Sequence, residues 1–164
     1  MYRILFLVLL AGCASKQGWN HTAIQSGNKE YNTHRLVYPV KNPFRNLEIE
    51  FCRIGEFTTV YINVHSHYIP PLPEDEKKAL IFIKTKGKHI TLIGDLLEGG
   101  QRLKLPPLAS KHLIDALRSS KNVTISLDSR YETPLDTTAF KEEYRKFMKE
   151  LSPLTSNRPV GLAI

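Results

Sequence analysis

The sequence predicts an α+β domain, a mainly antiparallel sheet of about six strands in a meander with two short amphipathic helices in its C-terminal half. Three observations predict it. From Leu47 onward, apolar and polar residues alternate in short runs, the period of a half-buried strand. Glycines fall between those runs, at Gly55, Gly87, Gly99 and Gly100, where tight hairpins need them. Two later segments repeat apolar residues every three or four positions, which is the spacing of a helix with one buried face.

The elements follow in order. Leu47, Ile49 and Phe51 share one face of a first strand, with Glu48 and Glu50 opposite. Gly55-Glu56 offers a two-residue turn with glycine first, suited to type II′. Thr58–Ile69 reads as one long strand, with Val60, Ile62 and Val64 on one face and Tyr61, Asn63, His65 and His67 on the other. Pro70-Pro71-Leu72-Pro73 cannot continue a central strand. Ala79–Thr85 is almost continuously apolar, so it is expected at the centre of the sheet. Lys86-Gly87-Lys88 turns it into His89–Leu97, and Gly99-Gly100 turns that into Gln101–Leu105. Ser110 is expected to cap a helix through Ser119, with Leu113, Ala116 and Leu117 inward. Val123–Leu127 supplies the sixth strand. Asp136 or Thr137 caps a second helix whose Phe140, Tyr144, Phe147 and Leu151 form an apolar stripe, ended by Pro153.

The N-terminus has a different logic. Met1-Tyr2-Arg3 is followed by an apolar run from Ile4 to Leu10 and then by Ala11-Gly12-Cys13. A basic start, a short apolar segment and small residues before a cut point mark a secretory signal peptide. The run is far shorter than the roughly 20 residues a membrane-spanning helix needs. Leu10-Ala11-Gly12-Cys13 resembles the lipobox of bacterial lipoproteins. That resemblance implies cleavage after Gly12, acylation of Cys13 with fatty acids such as palmitate, and residence in the cell envelope. Ala14 and Ser15, in place of an aspartate after the cysteine, imply an outer-membrane location facing the periplasm. The domain organisation expected is a signal peptide at 1–12, a lipidated cysteine and flexible basic tether at 13–46, a globular domain at 47–152 and a tail at 153–164. A flexible tether of that length spans on the order of 30 Å. Trp19, within it, is expected at an interface or loosely docked and not in the core.

Charge is placed unevenly. The chain carries a net charge of +7, and the segment from Cys13 to Asn46 holds five basic residues against one acid. From Leu47 onward 17 basic residues face 15 acidic ones. Basicity beside the anchor suits anionic lipid head groups. The dispersed charge of the domain is no footprint for nucleic acid. With Cys13 acylated, Cys52 has no cysteine left to pair with, and is expected as a small buried or half-buried apolar side chain.

Few residues suggest chemistry. His65 and His67, two apart on a strand, would face the same way, so they are candidates for a metal site, with His89 as a third ligand and Asp95, Glu98 or His112 as further ones. No nucleophile elbow, zinc-protease helix or phosphate-cradling loop occurs. No catalytic residue and no cofactor is expected. An exposed strand face bearing Tyr61, Asn63 and His65, with Tyr68 and the proline-rich run beside it, is the candidate binding surface. The function expected is a lipid-anchored envelope protein that binds or supports an envelope protein or cell-wall polymer. A secretion or envelope-assembly accessory lipoprotein is the specialised alternative. A periplasmic metal-binding protein or metal-dependent enzyme using His65 and His67 is the alternative of another class.

Overall fold

The computed structural model describes residues 18–24, 31–128 and 131–149. The signal segment, Cys13, Leu151 and the tail 153–164 lie outside the described residues. The strands are β1 (Asn20–Ile24), β2 (Thr33–Tyr38), β3 (Glu48–Ile54), β4 (Phe57–Asn63), β5 (Lys78–Thr85), β6 (Lys88–Leu96), β7 (Arg102–Leu105), β8 (Asn122–Ser126) and β9 (Glu132–Asp136). Helix α1 (Pro107–Ser119) follows β7, and α2 (Thr137–Lys149) follows β9. The strands form one open antiparallel sheet in the order β1-β2-β3-β4-β7-β6-β5-β8-β9.

This architecture corrects the expected six-stranded meander. Nine strands pair, and their order departs from the chain order after β4, which pairs with β7 and not with β5. The cause lies in residues 64–77. Pro70, Pro71 and Pro73 have no N–H to donate and fixed φ angles, so the chain leaves the sheet here and returns as β5, beyond β7 and β6. Tight turns form where glycines predict them, joining β3 to β4, β5 to β6 and β6 to β7. Gly55 takes a φ of +57° and Glu56 no positive φ, the φ pattern of a type II′ turn.

Two of the added strands, β1 and β2, fall in the stretch expected to be a tether, of which only Leu36–Val40 reads in the sequence as an edge strand or a segment packed on the domain; β2 lies inside the sheet, between β1 and β3. Trp19 is buried against Tyr38, Phe51 and Phe140, with ring centroids 5.0, 5.7 and 4.9 Å away. It is therefore core, against expectation. Packed aromatics of this kind add roughly 1 kcal/mol each beyond their buried area.

The third added strand, β9, was hidden by Pro134. Proline is tolerated on an edge strand, where its missing N–H faces away from the ladder. The outer side of β9 is met by side chains and by the Arg45 carbonyl, which accepts from the Glu132 N–H at 3.2 Å, in place of a tenth strand. Asn46 Nδ2 donates to the Glu132 carbonyl at 3.0 Å, Tyr38 Oη to that of Pro134 at 3.2 Å, and Trp19 Nε1 to that of Asp136 at 2.9 Å. The donors come in turn from the start of β3, the end of β2 and the start of β1. β9 thus runs across those strand ends and closes that end of the core.

Both helices pack on the inner face, where Leu36, Ile49, Phe51, Val60, Ile62, Ile81 and Leu103 are fully buried. α1 begins at Pro107, not at Ser110. Proline suits the first helical position because no N–H is needed there. Ser110 sits one turn in, its hydroxyl donating to the Leu105 carbonyl. α2 is capped as expected: Asp136 Oδ1 accepts from the N–H groups of Thr138 and Ala139, both at 3.0 Å.

Candidate functional site

The outer face of β3, β4 and β7 carries the most concentrated polar chemistry in the molecule. Strand register places Arg35 beside Cys52, Glu50 beside Tyr61, and Asn63 between Glu48 and Arg102. These residues alternate with the buried apolar ones, so the period that fills the core also aligns them on one surface.

Glu50 stands at the centre, with its side chain only 4% exposed. Both carboxylate oxygens are engaged. Arg35 Nε donates to Oε1 at 2.6 Å, and an Arg102 terminal nitrogen donates to Oε2 at 3.0 Å. The Glu50 hydrogen bond is the main cause that holds the Arg35 guanidinium pKa above its ordinary value. Arg102 also lies over the Tyr61 ring, its guanidinium carbon 4.0 Å from the centroid. A carboxylate taken this far from water needs such partners, and losing one would strand it.

A second pair flanks this clamp. Asn63 Nδ2 donates to Glu48 Oε1 at 2.8 Å, and His65 Nε2 lies 3.6 Å from Glu48 Oε2. Two buried polar atoms remain without a hydrogen-bond partner here: Asn63 Oδ1, an acceptor, and Arg102 Nε, a donor. They belong to residues paired in register across β4 and β7.

The structure distributes the sequence candidates unequally. Tyr61, Asn63 and His65 join this cluster. Tyr68 does not; it is exposed above the β6–β7 turn, where a Cβ added at Gly100 would stand 2.9 Å from its Cδ1. β4 ends at Asn63, so His65-Ser66-His67 is a bend and the shared-face argument lapses. His65 turns toward Glu48, while the His67 ring meets Tyr131 with centroids 6.2 Å apart. His89 starts the far end of β6, about 20 Å along the strand from Leu96. Among the described residues no group of three or more His, Cys, Asp or Glu side chains could hold a metal.

Cys52 sits half-buried beside Arg35. Burial, reinforced by the Glu50 charge and opposed by Arg35 and Arg102, pushes its thiol pKa up. It is therefore protonated at neutral pH, unlike a catalytic thiolate. Sequence reasoning missed Arg35, Glu50 and Arg102 because their meeting depends on strand pairing. The only local signal was Glu50 itself, an acid inside an otherwise regular alternation.

Comparison with known proteins finds no match for the chain among family models, curated proteins or solved structures.

Proposed function

We propose that this chain is a lipid-anchored bacterial envelope protein, attached through Cys13 to the outer membrane on its periplasmic side, whose domain binds or supports an envelope partner. The observation that carries the anchorage is the run Arg3, Ile4–Leu10, Ala11-Gly12-Cys13. Three acyl chains on one residue would make attachment effectively permanent, since each buried methylene contributes about 0.8 kcal/mol.

The fold sharpens what the anchor does. Only five residues lie between Cys13 and Trp19, which is fixed in the core. Fully extended, they span at most about 20 Å. The domain is then held against the bilayer and does not sweep the shell a long tether would give.

The recognition surface is the outer-face cluster of Tyr61, Asn63, His65 and Arg102. The Glu50 carboxylate is saturated by two arginines and so serves to hold them in place, not as a base. The half-exposed His65 and Arg102 side chains, with the Tyr61 ring beneath the guanidinium, suit a partner rich in hydroxyls and amides, which cell-wall polymer supplies and exposed peptide backbone also supplies. Nothing in this arrangement favours a metal ion or nucleic acid.

The test is crosslinking in intact envelopes from a photoreactive residue at position 61, with the same residue at position 93 on β6 as control. A crosslinked species from 61 that disappears in an Asn63→Ala variant supports the reading. Equal crosslinking from both positions would overturn the assigned surface.

A further inference from the structure

A second surface, which the outer-face cluster does not use, lies at the other end of the molecule. The β3–β4 hairpin tip exposes Ile54 and Phe57, the latter 83% exposed. Register sets Ile24 beside Thr33, Thr33 beside Ile54, and Ile54 beside Phe57, so exposed Ile24 joins the same end. Arg53 ties this tip to α2: its Nε donates to the Gly55 carbonyl at 3.0 Å and an Nη lies 3.3 Å from Met148 Sδ.

Met148 in turn edges a cleft between α1 and α2 lined also by Arg118, Lys141, Tyr144 and Arg145. Burial pushes the Tyr144 phenol pKa up, and the charges of Arg118 and Arg53 both act on it in the opposite sense. Four cations therefore gather around one half-buried ring. Asp115 acts on the ring in the same sense as burial, and Glu142, which pairs with Lys146, also feels the charge of Arg145. α2 sorts its charges by side. Lys146 pairs with Glu142 and Glu143 at 3.0 and 2.8 Å, and these two acids border a separate cleft beside β1. Lys141 and Arg145, one turn apart, keep no ion-pair partner among the described residues. Like charges at this spacing repel by a few tenths of a kcal/mol, and an outside anion would relieve them.

We propose that the Ile54–Phe57 hairpin tip, together with Arg53, Arg118, Lys141 and Arg145, docks onto an anionic phospholipid surface. Apolar side chains at the tip enter the interface while the cations meet head-group phosphates, the division of labour of interfacial membrane contacts. The occupant follows from charge complementarity, from apolar side chains on the outer face and cations on the helix face meeting at one end of the sheet with Arg53 between them, and from the short leash. α2 runs from Trp19 toward the tip for about 20 Å, so a five-residue leash lets Cys13 and the tip reach one bilayer. The inference rests on the proposed anchorage only for placing that bilayer beside the domain.

The test uses the full acylated chain carrying Phe57→Trp, with Trp19 as a buried internal background. Emission is compared in vesicles of phosphatidylglycerol and of phosphatidylcholine, each with and without brominated acyl chains, and palmitate incorporation is measured in the same preparations. The expected result is quenching of the added emission in brominated phosphatidylglycerol only, abolished by R118E/R145E. K141E, on the exposed side of α2, should weaken it without touching the α1–α2 contact. Unquenched emission in both lipids, or equal quenching in both, would overturn the proposal. Palmitate incorporation without quenching removes this surface and leaves the anchor standing. Quenching by added vesicles without palmitate removes the anchor and leaves the surface.

Discussion

The two faces of β3 and β4 are built from the same fourteen residues by opposite means. Inward, Ile49, Phe51, Val60 and Ile62 are wholly excluded from water and held by packing alone. Outward, Glu50 is almost as deeply buried but is held by charge partners 15 and 52 positions away in the chain. The inner face draws on non-directional burial that each residue contributes by itself. The outer face works only when all its members are present. Loss on the inner face should therefore scale with volume removed, and loss on the outer face should depend on which partner is left behind.

Phe51→Ala should give the largest effect. It removes the ring that Trp19 and Phe140 pack against, at 5.7 and 5.5 Å, and should cost about 3–5 kcal/mol in urea unfolding. On the outer face, Arg102→Met should cost about 2 kcal/mol, because Glu50 stays buried with one partner gone. That figure lies below the range for fully buried pairs because the Arg102 side chain is 41% exposed. Glu50→Leu should cost less than Arg102→Met, since the half-exposed arginines it frees can turn to water. Equal losses from the two variants would erase the distinction between the faces.

Tyr38→Phe sharpens the comparison at the closing strand. It removes the hydrogen bond to the Pro134 carbonyl and should cost about 1 kcal/mol at neutral pH. Burial, then the Asp136 charge, raises the Tyr38 pKa. A phenol whose folded pKa exceeds its unfolded value of about 10 contributes fully below that pH and loses its contribution as pH rises through the folded value. The parent should therefore lose stability above about pH 10 more steeply than Tyr38→Phe. Parallel pH curves would deny Tyr38 its part. Asp136→Ala, which uncaps α2, should cost about 1 kcal/mol or slightly less.

What could be read in the sequence follows the same division. Local patterns were legible: the turn at Gly55, the stripe of Phe140, Tyr144 and Phe147, and the alternation through Ile49 and Phe51. Strand order was not. β4 meets β7 through pairing across a proline-rich detour, and no local signal says how far such a detour travels. β1 hid because its edge position demands no alternation, and β9 hid because Pro134 argues against a strand until its edge is known. Of the candidate surface, Tyr61, Asn63 and His65 were visible on one strand. Arg35, Glu50 and Arg102, which give that surface its charge, became neighbours only once three strands were placed. The paired histidines failed for a simple reason: the strand meant to align them ends at Asn63.

The proposed membrane attachment can be weighed directly. Intact-mass analysis of chain purified from native membranes should show residues 1–12 removed and Cys13 heavier by its acyl groups, with Cys13→Ser left unprocessed. A parent chain that keeps its leader, or that matures with a bare Cys13, would contradict the account.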